Sequence, residues 1–261
     1  MPLPSDRPVS AGSPAAHAPP LVRTSGDRRT LEFTPGDIQS EMLLSRPDAL
    51  VLAYARAMMC FALFVPRPRH IVMVGLGGGS LAKFCYRCFS HARITVLEVR
   101  ADVIALREQF HMPPDDARLR VLHCDAVHYL AEAPGSADVL LVDGFDAAGL
   151  PPELSSAGFY ADCRRALRPG GVMVANIFSY DPDYVSAVQR LHDAFAGRLG
   201  WFKGIAGNNR ILFAVRPGAG PDAGRAGRVL ARIGRPCGFG LGWTNRLLAR
   251  AVVAWLSRRS V

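Results

Sequence analysis

IVMVGLGGGS, residues Ile71 to Ser80, decides how the rest of the chain is read. Four apolar, largely β-branched residues, Ile71 to Val74, suit a short buried strand. The glycines from Gly75 to Gly79 allow a tight turn and let a ligand approach the backbone closely. Ser80 to Phe89 then reads as a helix. Gly75 and Gly77 match the first two positions of the dinucleotide pattern G-x-G-x-x-G, whereas Ser80 stands at the third. No Lys-Ser or Lys-Thr follows, so a phosphate-cradling P-loop is not expected.

Outward from this unit the alternation continues. Ile94–Val99, Arg120–His123, Val139–Val142 and Val172–Ile177 read as strands. Asp102–Phe110, Ala126–Glu132, Ser156–Leu167 and Asp181–Phe195 read as helices, the third closed by Pro169-Gly170-Gly171 and the fourth with Pro182 in its first turn. Trp201–Ala206 and Ile211–Val215 form an expected hairpin around Asn208-Asn209. Such alternation predicts an α/β, Rossmann-like sheet of the class I methyltransferase type with helices on both faces.

Upstream, Arg29 to Leu44 reads as two strands around the turn Thr34-Pro35-Gly36-Asp37. Pro47–Phe64 reads as a buried helix capped by Asp48. The expected organisation is a disordered leader over 1–28, a hairpin and helix over 29–69, a catalytic domain over 70–216, and a linker with a basic helical tail over 217–261. Leu247, Leu248, Val252 and Trp255 lie at helical spacing within that tail. Packing of this helix onto the domain is favoured over a membrane-surface role.

The chain has 261 residues, 49% hydrophobic and 20% charged, with a net charge of +9. Much of the excess sits in the tail, at Arg225, Arg228, Arg232, Arg235, Arg246, Arg250, Arg258 and Arg259, so a solvated basic face is expected and no specific nucleic-acid partner. No apolar run approaches the roughly 20 residues of a membrane span, and the amino-terminal segment lacks the apolar block of a secretory signal. Cys85 and Cys88 form a lone C-x-x-C on an expected helix, read as two thiols rather than a metal site. A reduced, cytoplasmic setting is expected. His123 is expected to point into the sheet or helix layer.

Ligands of doubly wound sheets sit beyond the carboxyl ends of the strands, and four acids follow three of them here. Glu98, about twenty residues past the glycines, can accept from ribose hydroxyls. Asp125 in Cys124-Asp125-Ala126 can accept from an adenine amino group. Asp143 and Asp146 follow the fourth core strand in Val142-Asp143-Gly144-Phe145-Asp146. Four acids around one site suit a sulfonium and a cationic amine better than a dinucleotide pyrophosphate.

The succession GLGGGS, VLEV, HCDA, LLVDGFD and LRPGGVMVAN resembles the spermidine synthase (polyamine aminopropyltransferase) family over roughly Ile71 to Asn176. A looser match extends to Ile38-Gln39 and Tyr54. The resemblance implies transfer of an aminopropyl group from decarboxylated S-adenosylmethionine to a small di- or polyamine, without a metal. It implies that Gly75, Gly77, Gly78, Glu98, Asp125, Ala126 and Asp143 hold the donor. Asp146 would be the catalytic acid and amine contact, assisted by Asp143, and Gln39 and Tyr54 would line the donor or amine pocket. Dimerisation through amino-terminal strands is a further expectation of the resemblance.

Three departures stand out. Gly78 occupies the place of the family's loop Asp, which anchors the donor's amino group. Glu98-Val99-Arg100 replaces E-I-D, and Gly144-Phe145 replaces the pair of serines between the two acids. Gly78 keeps open a methyltransferase that uses intact S-adenosylmethionine, and a non-catalytic nucleoside-binding relative stands beside both.

Overall fold

The computed structural model describes residues 18–146, 149–218, 224–225, 227–229 and 242–259. Expectations for residues 1–17 and for most of the linker lie outside these described residues. A three-stranded antiparallel sheet comes first, built from β1 (Leu21–Ser25), β2 (Arg28–Glu32) and β3 (Ile38–Leu43) in that order. The turn between β2 and β3 falls at Thr34–Asp37, closed by Asp37 N–H donating to the Thr34 carbonyl at 2.9 Å.

The main sheet holds β4 (His70–Val74), β5 (Arg93–Glu98), β6 (Leu119–His123), β7 (Ala137–Val142), β8 (Leu167–Phe178), β9 (Leu199–Trp201) and β10 (Asn209–Val215). Their spatial order is β6-β5-β4-β7-β8-β10-β9. The first five are mutually parallel, and β10 runs antiparallel to both β8 and β9. From β4 the chain winds outward one way through β5 and β6, then returns to wind the other way through β7 and β8. The switch point therefore lies between β4 and β7, where such folds open a crevice.

Alternation of side chains places Ile71, Met73, Val139, Leu141, Val172 and Val174 on one face of the sheet. Val72, Val74, Leu140, Val142, Met173 and Ala175 lie on the other. The first face is covered by α1 (Ala53–Met58), a following 3-10 turn (Met59–Leu63) and α2 (Ser80–Cys88). The second carries α4 (Ala126–Ala131), α5 (Ala157–Ala166) and α6 (Tyr184–Ala194). The short α3 (Ala101–Ile104) follows β5. A C-terminal helix, α7 (Gly242–Arg258), packs Ala249, Val252 and Leu256 onto α1 and the 3-10 turn, as favoured from the sequence.

Several boundaries depart from the sequence reading. Leu21–Ser25, inside the expected leader, is a strand, because Leu21 to Ser25 pairs along its whole length with Arg28 to Glu32. The helix after Pro47 begins only at Ala53, and Asp48 does not cap it. Arg56 donates to the Leu50 and Val51 carbonyls instead, holding that stretch extended, while Asp48 pairs with Arg87 at 3.7 Å.

α3 stops at Ile104 and the chain continues as turns to His111, whose φ is 52°. Pro169-Gly170-Gly171 lies within β8 rather than before it. It forms an irregularity that carries the β7 pairing from Ala137↔Leu167 to Val139↔Val172. Pro182 precedes the first turn of α6, which starts at Tyr184. The β9–β10 connection is wider than a two-residue turn, with Trp201 opposite Leu212. His123 is exposed and lies 3.0 Å from the Val99 carbonyl, because it ends an edge strand.

One polar group of α2 is buried against the three-stranded sheet. The Lys83 ammonium of α2 is buried against Met42 Sδ at 3.1 Å and donates to the Phe110 carbonyl. Burial pushes its pKa down to about 8.

Candidate active site

The carboxyl ends of β4, β5 and β7 surround a cavity of about 630 Å³, within the usual range for a small-molecule site. Gly75 follows β4 with φ 92°, and a Cβ there would run into the Asp143 carbonyl oxygen. Only glycine lets the β4 and β7 ends lie this close at the switch point.

Glu98 ends β5 and is 7% exposed. Its two carboxylate oxygens accept from Leu76 N–H and Arg100 N–H, each at 2.8 Å, so it ties the glycine loop to β5. Burial raises its pKa, and those backbone donors oppose the shift. Each oxygen keeps a second lone pair for a ligand hydroxyl. Asp125 is the N-cap of α4: Oδ1 accepts from Val127 N–H at 2.8 Å and Oδ2 lies 3.1 Å from His128 Nδ1. One carboxylate thus fixes the start of a helix and edges the cavity beside Ala126.

Asp143 follows β7. Its Oδ1 accepts from Asn176 Nδ2 at 2.8 Å, and the Tyr54 hydroxyl, which donates to the Gln39 carbonyl at 3.3 Å, stands beside the carboxylate and favours its charge. Desolvation drives its pKa up to about 6, although both neighbours pull it back. Tyr54 itself is pushed well above its ordinary range by burial and by the Asp143 charge, so its proton stays in place. Asn209 Nδ2 donates in turn to Asn176 Oδ1 at 2.9 Å, extending the network across β8 and β10. Asp146 Oδ1 accepts from Gly149 N–H at 3.0 Å, and a backbone bridge between the same residues closes the loop.

Gln39, Ser40 and Tyr54 bring the amino-terminal segment over the cavity. Gln39 Nε2 donates to Asp37 Oδ2 at 2.8 Å, and the Ser40 and Ser80 hydroxyls lie 3.4 Å apart. A Cβ at Gly78 would stand 2.7 Å from Ser40 Oγ and 2.8 Å from the Phe110 ring. That space is filled, so an acid at position 78 would have to push the Ser40 and Phe110 side chains aside. Gly78 is also the one expected donor-binding residue absent from the cavity wall.

Gly75, Gly77, Glu98, Asp125, Ala126, Asp143, Asp146, Gln39 and Tyr54 all line this single cavity. Sequence reasoning missed six contributors. Asn176 supplies the polar support of Asp143; it ends the quoted LRPGGVMVAN run, and an amide in an otherwise apolar strand was the available signal. Phe145, Phe178 and Tyr180 form a wall, with centroids 4.5 Å and 5.0 Å apart for successive pairs. Ser40 closes the glycine loop. Arg100 lines the cavity while holding Asp102 through two hydrogen bonds of 3.0 and 2.7 Å, with its guanidinium 4.8 Å from the centre of the Phe33 ring.

Comparison with known proteins adds the family context. The spermine/spermidine synthase domain model matches residues 51–196. A polyamine aminopropyltransferase of Chromobacterium violaceum is 40% identical over 206 residues, covering 78% of this chain and 79% of that protein. One from Neisseria meningitidis serogroup B is 35% identical over 195 residues, covering 74% and 73%. The crystal structure of a probable spermidine synthase from Corynebacterium glutamicum shares the fold. It superposes with a TM-score of 0.65 at 20% identity, over 94% of this chain and 95% of that one.

Proposed function

Because this chain belongs to the spermine/spermidine synthase family, we propose that it transfers the aminopropyl group of decarboxylated S-adenosylmethionine to the amine of a di- or polyamine. The observation that carries this reading is the convergence of Glu98, Asp125, Asp143 and Asp146 on one cavity with an aromatic wall. A cavity so lined complements two cations, the donor's sulfonium and the acceptor's ammonium. The aromatic rings of Phe145, Phe178 and Tyr180 add faces on which an alkylammonium chain can lie.

In this reading Glu98 takes the ribose hydroxyls, and Asp125 with Ala126 takes the adenine edge. The glycine loop passes beneath the donor. The amine nitrogen attacks the methylene carbon bonded to sulfur; the carbon–sulfur electron pair returns to sulfur, which leaves as the neutral thioether of methylthioadenosine. An alkylammonium with a pKa of about 10.4 must first lose a proton. Asp146 accepts it and orients the amine, a role worth roughly 10²–10⁴-fold in rate. Asp143, ionised above about pH 6, faces the donor and is steadied by Asn176 and Tyr54. With no acid at position 78, the donor's terminal ammonium falls to Asp143 and the Asp37–Gln39 pair.

A second reading rests on Gly78. Without an acid there, nothing in the loop repels the carboxylate of intact S-adenosylmethionine, and methyl transfer becomes available to the same fold. Calorimetric titration of the purified protein with each donor form separates the two. Tighter binding of the decarboxylated form supports aminopropyl transfer, preference for the intact form supports methyl transfer, and binding of neither sinks both.

A further inference from the structure

The face of α7 turned away from the domain is not the polar surface of an ordinary packed helix. Trp243, Leu247 and Trp255 are 63%, 52% and 43% exposed. With the exposed Ala251 they repeat at i, i+4, i+8 and i+12, one stripe about 18 Å long. Arg246, Arg250 and Arg258 are exposed among them. The whole span from residue 217 to 261 carries one acid, Asp222, against the arginines named above.

A second observation adjoins the Trp255 end of the stripe. A shallow groove is lined by Val65, Pro66 and Trp255 together with Arg67, Arg225 and Arg259. The Arg259 guanidinium lies 4.6 Å from the centre of the Trp255 ring. None of the ion pairs formed among the described residues involves these three arginines. An apolar floor ringed by unneutralised guanidiniums suits an amphiphilic anion, and the stripe beside it suits an interface with apolar depth.

We propose that the outer face of α7 and the adjoining arginine groove dock on an anionic lipid surface, with Trp243, Leu247 and Trp255 entering the headgroup layer. A second copy of the chain fits less well, since it would bring the same arginines face to face. A nucleic acid would use the arginines but leave the tryptophan–leucine stripe without a role. The surface is separate from the cavity, and the proposal does not rest on the reaction carried out there.

Flotation of the full chain with phosphatidylcholine vesicles, with and without phosphatidylserine, tests this. The expected result is binding at least about tenfold tighter to the anionic vesicles, released by salt, with a blue shift of tryptophan emission. Arg225→Glu and Arg259→Glu should each weaken binding roughly fivefold. Trp243→Ala and Trp255→Ala should weaken it and reduce the blue shift. All four should keep the wild-type melting temperature and transfer rate. Equal flotation with neutral vesicles, no flotation at all, tryptophan variants that bind unchanged, or tighter binding to a DNA duplex than to vesicles would each overturn the proposal.

Discussion

The cavity has two walls made in different ways. The wall formed by the ends of β5 and β7 and the start of α4 carries Glu98, Asp143 and Asp125, each fixed by main-chain hydrogen bonds or by a neighbouring strand. The opposite wall is lent by the amino-terminal segment, where Gln39 and Ser40 on β3 and Tyr54 on α1 approach through side-chain contacts. The first wall places charge where the sheet's own topology creates a crevice. The second closes over it, and in the proposed reading it would select which donor tail and which amine the charges meet. On this account chemistry should be lost through the sheet wall and selectivity should move with the lent wall.

The largest effect should come from Asp146→Asn, which keeps the shape and removes the proposed proton acceptor. Steady-state kinetics should find kcat lowered roughly 10²–10⁴-fold with donor affinity nearly unchanged. A loss confined to KM would move Asp146 from catalysis to binding. Next, Glu98→Gln should weaken donor binding roughly 10–100-fold by calorimetry, the scale of a lost charge-assisted hydrogen bond. Wild-type affinity in that variant would break the nucleoside assignment of the sheet wall.

A third test sets the walls directly against each other. Asn176 donates to the Asp143 carboxylate from the sheet side, and the Tyr54 hydroxyl favours its charge from the lent side. Removing either group destabilises the ionised form, so the carboxyl pKa rises from about 6. The acid limb of kcat/KM should therefore shift to higher pH, by roughly half to one unit, in Asn176→Ala and in Tyr54→Phe. If only one variant shifts, that wall alone tunes the acid; if neither does, Asp143 does not set the limb.

The smallest effect should be seen at Gly78. Gly78→Asp would press on Ser40 and Phe110, costing about 1–3 kcal/mol of stability as overpacking. Thermal unfolding should detect this, and adding Ser40→Gly should return part of it. An unchanged melting temperature would mean that the lent wall yields and that position 78 can house an acid.

How much of this was legible in the sequence follows the same division. β4 through β8 each announce themselves as apolar runs bounded by glycines or acids, and the acids fall at strand ends. Position along the chain thus already implied position around a crevice, and Glu98, Asp125, Asp143 and Asp146 could be read in that way. Ser40 and Phe110, in contrast, meet Gly78 from remote segments, and nothing local in IQSEML or EQFHM marks that meeting. β1 was hidden because LVRTS has no strong pattern by itself and gains its structure from pairing with β2. Asp48 looked like a cap, but a cap needs a helix starting beside it, and Arg56 delays that start to Ala53. Asn176 was visible as a residue, while its purpose depended on β8 lying next to β7.

The most direct test of the account is to supply the purified chain with decarboxylated S-adenosylmethionine and a linear diamine, then identify both products by mass. One methylthioadenosine should be released for each amine extended by an aminopropyl group, with no release when the diamine is omitted. A methylated amine formed from intact S-adenosylmethionine, with the decarboxylated donor left unconsumed, would contradict it.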